Sequence, residues 1–262
     1  MTTTTSGRTL LNVIVGSAAA LATSACAGSE TGNGARDEKP VKVEMKLVAN
    51  VEGTFIAPDK SGTEFEITTA TTRVDRLDFV LPDGVVCDLE PEDGSVVPYV
   101  ARCGDDAESS RVKVEGPWDI DLVTGMASPA LDMLTLPFGA FDRIEARLRP
   151  GGHDDWTLAT DGIVGDKSFR LELRMGEVVR FGDKDGAAVT VDDVTAAIGL
   201  ELDPANWFEE LDLAACIASG DVPSEGATLQ LHEGSPSKCG NVTAKVESAL
   251  RASARAKVVK VR

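Results

Sequence analysis

Apolar and polar side chains alternate with a period of two along much of this chain, in runs too short for helices and cut by Gly- and Pro-rich turns. Phe169, Leu171, Leu173 and Met175 alternate with Arg170, Glu172 and Arg174, the cleanest such run. Val41, Val43, Met45 and Leu47 alternate with Lys42, Glu44 and Lys46 and lead toward Phe55-Ile56. Residues 65–81 read as strand with a bulge near Asp75-Arg76, where the period shifts. Residues 112–122 resume the alternation with a break at Pro117, which marks an edge or bulged strand. Further strands fall at 131–136, 141–148, 156–158, 178–181, 189–191, 198–202 and 229–231.

Helix signals come late. Asp203-Pro204 offers a capping carboxylate and a first-turn proline for a short helix near 204–211, with Trp207, Phe208 and Leu211 inward. Val242, Val246, Ala249 and Leu250 have helical spacing behind Asn241, which predicts a C-terminal helix reaching Ala256. No helix of ordinary length separates the strands, which excludes an α/β fold. The expectation is a mainly β chain, an antiparallel β-sandwich with these two helices.

The first residues carry one charge, Arg8, and the next charged residue is Glu30. An apolar run from Leu10 to Leu21 lies between them, followed by Ala22-Thr23-Ser24-Ala25-Cys26. A positive end, a short apolar core and small exit residues are the parts of a secretory signal. The run is too short and too rich in Ala and Ser for a membrane span of about 20 apolar residues. Its exit resembles a bacterial lipobox, in which small residues precede a cysteine that is lipidated. Residue Thr23 departs from the usual aliphatic residue, and plain signal cleavage near Ala25 is the rival reading. The resemblance implies an exported chain held at the bacterial outer membrane or cell surface by lipid on Cys26, Ala27 being the outer-membrane signal. Residues 26–39 are Gly, Ser, Thr, Asn and charge, a flexible tether. The organisation is then a signal peptide at 1–25, the tether, a β-sandwich domain at 40–202 and a helical, disulfide-linked C-terminal extension at 203–262.

Setting Cys26 aside leaves Cys87, Cys103, Cys216 and Cys239. An even count in an oxidising compartment reads as two disulfides, with three connectivities open. The local one, Cys87 to Cys103 and Cys216 to Cys239, is preferred. Each closes a loop of moderate length, worth roughly 3 kcal/mol in unfolded-chain entropy. Zinc would need close pairs such as C-x-x-C, and none occurs.

The net charge is −17. That acidity excludes a nucleic-acid partner, which requires a basic face, and argues against electrostatic adhesion to anionic lipid. The exception is the C-terminus, where Lys245, Arg251, Arg255, Lys257, Lys260 and Arg262 face only Glu247. These cations either meet acidic neighbours on the body or contact an envelope polymer or protein partner.

Residues 65–81, the Trp118-Asp119-Ile120-Asp121-Leu122 strand and the Leu136-Pro137-Phe138-Gly139-Ala140-Phe141 turn running into Ile144 and Leu148 resemble a family of uncharacterised bacterial lipoprotein domains. The resemblance covers about half of the mature chain and implies an Ig- or transthyretin-like sandwich. Phe138 in the turn and the two cysteine loops depart from the pattern. The family supplies no catalytic residues.

No catalytic constellation stands out. The chain has two histidines, His153 in a Gly/Asp turn and His232 at a strand end, and no G-x-S-x-G. Both histidines read as surface residues. Asp183, Asp185, Asp192 and Asp193 are weak calcium candidates, because the EF-hand pattern fails at Ala187 and Val194. Trp118, Trp156 and Trp207 are more readily core residues than a carbohydrate platform. No cofactor is indicated. The sequence reads as a non-enzymatic, lipid-anchored envelope protein with a binding or structural role. The alternatives are a carbohydrate- or calcium-dependent adhesion module and a hydrolase with an unrecognised acidic site.

Overall fold

The structure is a computed structural model that describes residues 41–49, 53–87, 102–103, 111–131, 133–137, 139–151, 156–182, 188–232, 239 and 241–260. The expectations for the signal peptide, Cys26, the tether, His153, Asp183 and Asp185 fall outside these residues. Glu38–Arg262 forms one compact unit.

The fold is mainly β, as the alternation predicts. Among the described residues, a four-stranded sheet runs in the order Arg255–Lys260, Thr195–Leu202, Val41–Ala49 and Met133–Leu136. The larger sheet has eleven strands built around the long strand Glu64–Val80. One edge of that strand pairs with Phe55–Pro58 and then Arg111–Asp121. The other pairs with Leu158–Val164 and then Arg143–Leu148. From there the sheet grows in two wings. Leu158–Val164 leads to Lys167–Leu173, Thr228–His232 and Ser224–Glu225, and Arg143–Leu148 leads to Val178–Phe181. Gly139–Phe141 and Val189–Val191 form a separate two-stranded ribbon.

The apolar members of the alternation point into one continuous core shared by both sheets. Val43, Met45, Ile198 and Leu200 come from the small sheet, and Phe65, Phe79, Phe169 and Leu171 from the large one. Edge-to-face aromatic contacts knit this core: Phe65 lies 5.4 Å from Phe169 and 5.3 Å from Phe208 between ring centroids.

The bulge expected near Asp75-Arg76 is present, as a register shift between Val74 and Arg76 against both neighbouring strands. Gly116 and Pro117 lie opposite it. A Cβ on Gly116 would sit 2.8 Å from the Val74 carbonyl oxygen, so only glycine fits there.

Five features differ from the sequence reading. Two strand pairs are parallel within an otherwise antiparallel set of named strands: Val41–Ala49 with Thr195–Leu202, and Lys167–Leu173 with Thr228–His232. The strand expected at 156–158 is Leu158–Val164, with a bulge between Asp161 and Gly162. The helix near 204–211 contracts to a 3-10 turn, Pro204–Asn206, capped by Asp203 through the Ala205 N–H at 3.0 Å. Trp207, Phe208 and Leu211 are nonetheless buried, and the α-helix forms farther on, at Leu213–Ala218. The C-terminal helix, capped by Asn241, ends at Ser253, and Arg255–Lys260 is a strand. Residues 203–262 are therefore no separate extension, since they supply strands to both sheets.

Disulfides join Cys87 to Cys103, with Cα atoms 5.5 Å apart, and Cys216 to Cys239, 5.0 Å apart. These are the local pairings. Among the described residues no helix is long and apolar enough to cross a membrane.

Candidate ligand-binding trough

The polar members of the alternation decide what the outer face of the large sheet displays. Because side chains alternate across a strand, Arg73, Thr71 and Thr69 leave the long strand on the face opposite Val74, Thr72 and Ala70. Register places Asp119 across from Arg73 and sets Thr69, Asp161, Arg170 and Gln230 in one line over four strands. Glu172 and His232 form the next line.

Two open depressions lie on this face. One, of ≈ 470 Å³, is bordered by Trp156, Arg73, Asp119, Asp161 and Arg170, with threonines along its floor. The other, of ≈ 460 Å³, shares Asp161 and Arg170 with it and continues to Gln230 and Glu225. They make one elongated trough. The Arg73 guanidinium donates through one nitrogen to both Asp119 oxygens, at 3.0 and 3.3 Å. The Thr69 hydroxyl donates to an Asp161 carboxylate oxygen at 3.1 Å, and Arg170 Nε donates to Glu172 at 2.6 Å. The Trp156 ring is braced by the Arg174 guanidinium, 4.9 Å from its centroid.

A second charged cluster on the same sheet is structural in character. Asp78 and Glu145, directly opposed across two strands, are buried among long arginine side chains. Arg76 donates to Asp78 at 2.8 and 3.1 Å, Arg143 to Glu145 at 2.7 Å and Arg180 to Glu145 at 3.1 Å. Burial pushes the Glu145 carboxyl up, but Arg143 and Arg180 outweigh it and hold the group below its usual range.

Other sequence candidates resolve as follows. Trp118 and Trp207 are fully buried core residues, and Trp156 alone of the three borders the trough. Asp192 accepts from the Thr195 hydroxyl at 2.7 Å and pairs with Lys260, so its carboxylate is already engaged, while Asp193 is exposed. Among the described residues no group of three or more His, Cys, Asp or Glu side chains converges as metal ligands. Lys245, Arg251, Lys257 and Lys260 pair with Glu210, Glu177, Glu201 and Asp192, which is the reading in which the basic C-terminus meets acidic neighbours. Arg255 donates instead to the carbonyls of Ala252 and Ala254.

No protein-family model, curated protein or solved structure matches this chain. Any role assigned to the trough therefore rests on its own chemistry. Sequence reading favours a core place for Trp156, as for the other two tryptophans, and names none of Arg73, Asp119, Asp161, Arg170 and Gln230 as site residues. The available signal was the outward phase of the same alternation that marks the core, which places polar residues on the open face without saying which strands adjoin.

Proposed function

We propose that this chain is a lipid-anchored protein of the bacterial cell envelope that binds a ligand through its folded domain and performs no catalysis. The observation that carries the reading is the pairing of all four cysteines other than Cys26 into two disulfides. Such bonds persist in oxidising, extracytoplasmic compartments and are rare in the cytosol. An export signal ending at Cys26 accounts for how the chain reaches such a compartment and why a fifth cysteine stands apart. The strand-and-turn resemblance to uncharacterised lipoprotein domains fits the same picture.

The trough supports binding over catalysis. Asp119, Asp161 and Glu172 are each held by an arginine or a threonine, an arrangement that fixes a carboxylate as a recognition group rather than freeing it to take up or deliver a proton. Fractionation tests the placement. The natural chain is expected in the membrane fraction of its native cell, and a Cys26→Ser variant is expected to leave it. A natural chain found soluble in the cytosol would reject the reading.

A further inference from the structure

We infer that the trough binds a neutral oligosaccharide chain laid across the strands, a ligand class that rests on the binding role proposed above. Shape is the first reason. The two depressions share Asp161 and Arg170 and open along the sheet. The line from Thr69 to Gln230 crosses four strands, which at about 4.8 Å between neighbours is about 14 Å, and Arg73 and Asp119 lie farther along the first strand pair. An enclosed, mainly apolar pocket suits a compact small molecule. A long open trough lined by polar groups suits a segment of polymer.

Charge is the second reason. The whole chain carries −17, yet in the trough Arg73 sits against Asp119, and Arg170 against Asp161 and Glu172, its Nε 3.9 Å from Asp161. A polyanion would find both arginines already engaged. A polycation would have to displace these two arginines from the carboxylates they already hold. A ligand with many hydroxyls and no net charge can accept from the guanidinium groups and donate to the carboxylates without breaking either pair, while Gln230 offers both functions.

Preorganisation is the third. Gly151 packs so closely on Arg73 that a Cβ there would lie 2.9 Å from Arg73 Nε, and the guanidinium is further fixed by Asp119. Recognition groups ordered before binding lose little entropy when the ligand arrives. At one end Trp156, braced by Arg174, supplies the flat apolar surface on which the C–H face of a sugar ring rests, with an indole N–H beside it.

The test uses the full-length chain, purified with its anchor in detergent, titrated with chitotetraose, cellotetraose and maltotetraose. Tryptophan fluorescence and calorimetry are the readouts. Trp118 and Trp207 are fully buried, so a ligand-dependent emission change reports on Trp156. Saturable binding of at least one tetrasaccharide is expected. Trp156→Ala and Asp161→Asn should each weaken it by roughly tenfold or more, with the unfolding midpoint of each variant unchanged. Silence across the panel at millimolar concentration, undiminished binding by both variants, or saturable binding of polyphosphate or polylysine that Trp156→Ala abolishes would each overturn the inference. None of these outcomes bears on the acylation of Cys26, so the two proposals fail separately.

Discussion

Asp59 shows how one side chain ties distant parts of the chain together. It is buried, and its carboxylate accepts from the Ser61 N–H at 2.9 Å, the Ser61 hydroxyl at 2.6 Å, the Thr63 N–H at 3.0 Å and the Ala214 N–H at 2.8 Å. The last bond caps the Leu213–Ala218 helix, whose own N-cap residue, Asp212, makes no side-chain cap. Burial pushes the carboxyl up, but the bonds from Ser61, Ala214 and Thr63 together hold it below its usual value. A carboxyl depressed in the folded state stabilises the fold above its unfolded pKa, near 3.9, and loses that contribution as pH falls through the folded value. Asp59→Asn is expected to cost about 1–3 kcal/mol at pH 7 in urea unfolding, with the deficit shrinking below about pH 4. A deficit that persists unchanged in acid would assign it to shape rather than charge. The arginine cluster gives a contrast in exposure. Asp78→Ala leaves Arg76 and Arg111, both largely buried, beside an uncompensated site and should cost about 3–5 kcal/mol. Arg180→Ala removes a side chain that is 70% exposed and should cost less than about 1 kcal/mol. Equal costs for the two would contradict this account of the cluster.

At the scale of elements, Gly162 decides whether the long central strand and Leu158–Val164 can meet. A Cβ at this position would lie 2.2 Å from the Glu66 carbonyl oxygen and 2.6 Å from the Phe169 ring. Backbone on one side and a buried ring on the other cannot both yield. Gly162→Ala is therefore expected to cost more than about 1 kcal/mol and to change the near-ultraviolet signal of the aromatic core, read by circular dichroism. A thermal midpoint matching the natural chain would show that the strands part more easily than their packing suggests. The same residue explains a limit of sequence reading. Asp-Gly is a turn signal, and here it hides a bulge inside a seven-residue strand. The 205–211 helix was misplaced for a related reason: its local cap, Asp203, is legible, whereas the cap of Leu213–Ala218 comes from Asp59, 155 residues away. At the C-terminus the helical spacing of Val242, Val246 and Leu250 is genuine, but chain extension at Ala254 begins a strand that pairs with Thr195–Leu202 and whose Ala256 N–H donates to the Gly182 carbonyl at 2.7 Å. The strands, the Asp75-Arg76 bulge and the local disulfides were legible because each is written in neighbouring residues. Parallel pairing and the trough depend on which strands adjoin, and no local pattern records that.

For the whole molecule, acidity, disulfides and the trough have different reach. The charge of −17 keeps the domain soluble, and the basic C-terminus is absorbed into that acidic body through four ion pairs. One disulfide ties Cys87, after the Pro82-Asp83-Gly84 turn, to Cys103, and the other ties Cys216 of the Leu213–Ala218 helix to Cys239, just before the last helix. These features fit the proposal of a domain that works outside the cytosol. All of this depends on Cys26 becoming the first residue of an acylated chain. The most direct measurement is the mass of the amino-terminal peptide released from protein isolated from its native membrane. A peptide beginning at Cys26 and heavier by its acyl groups is the expected result, and one that retains Met1 or begins at Cys26 with an unmodified thiol would contradict the account.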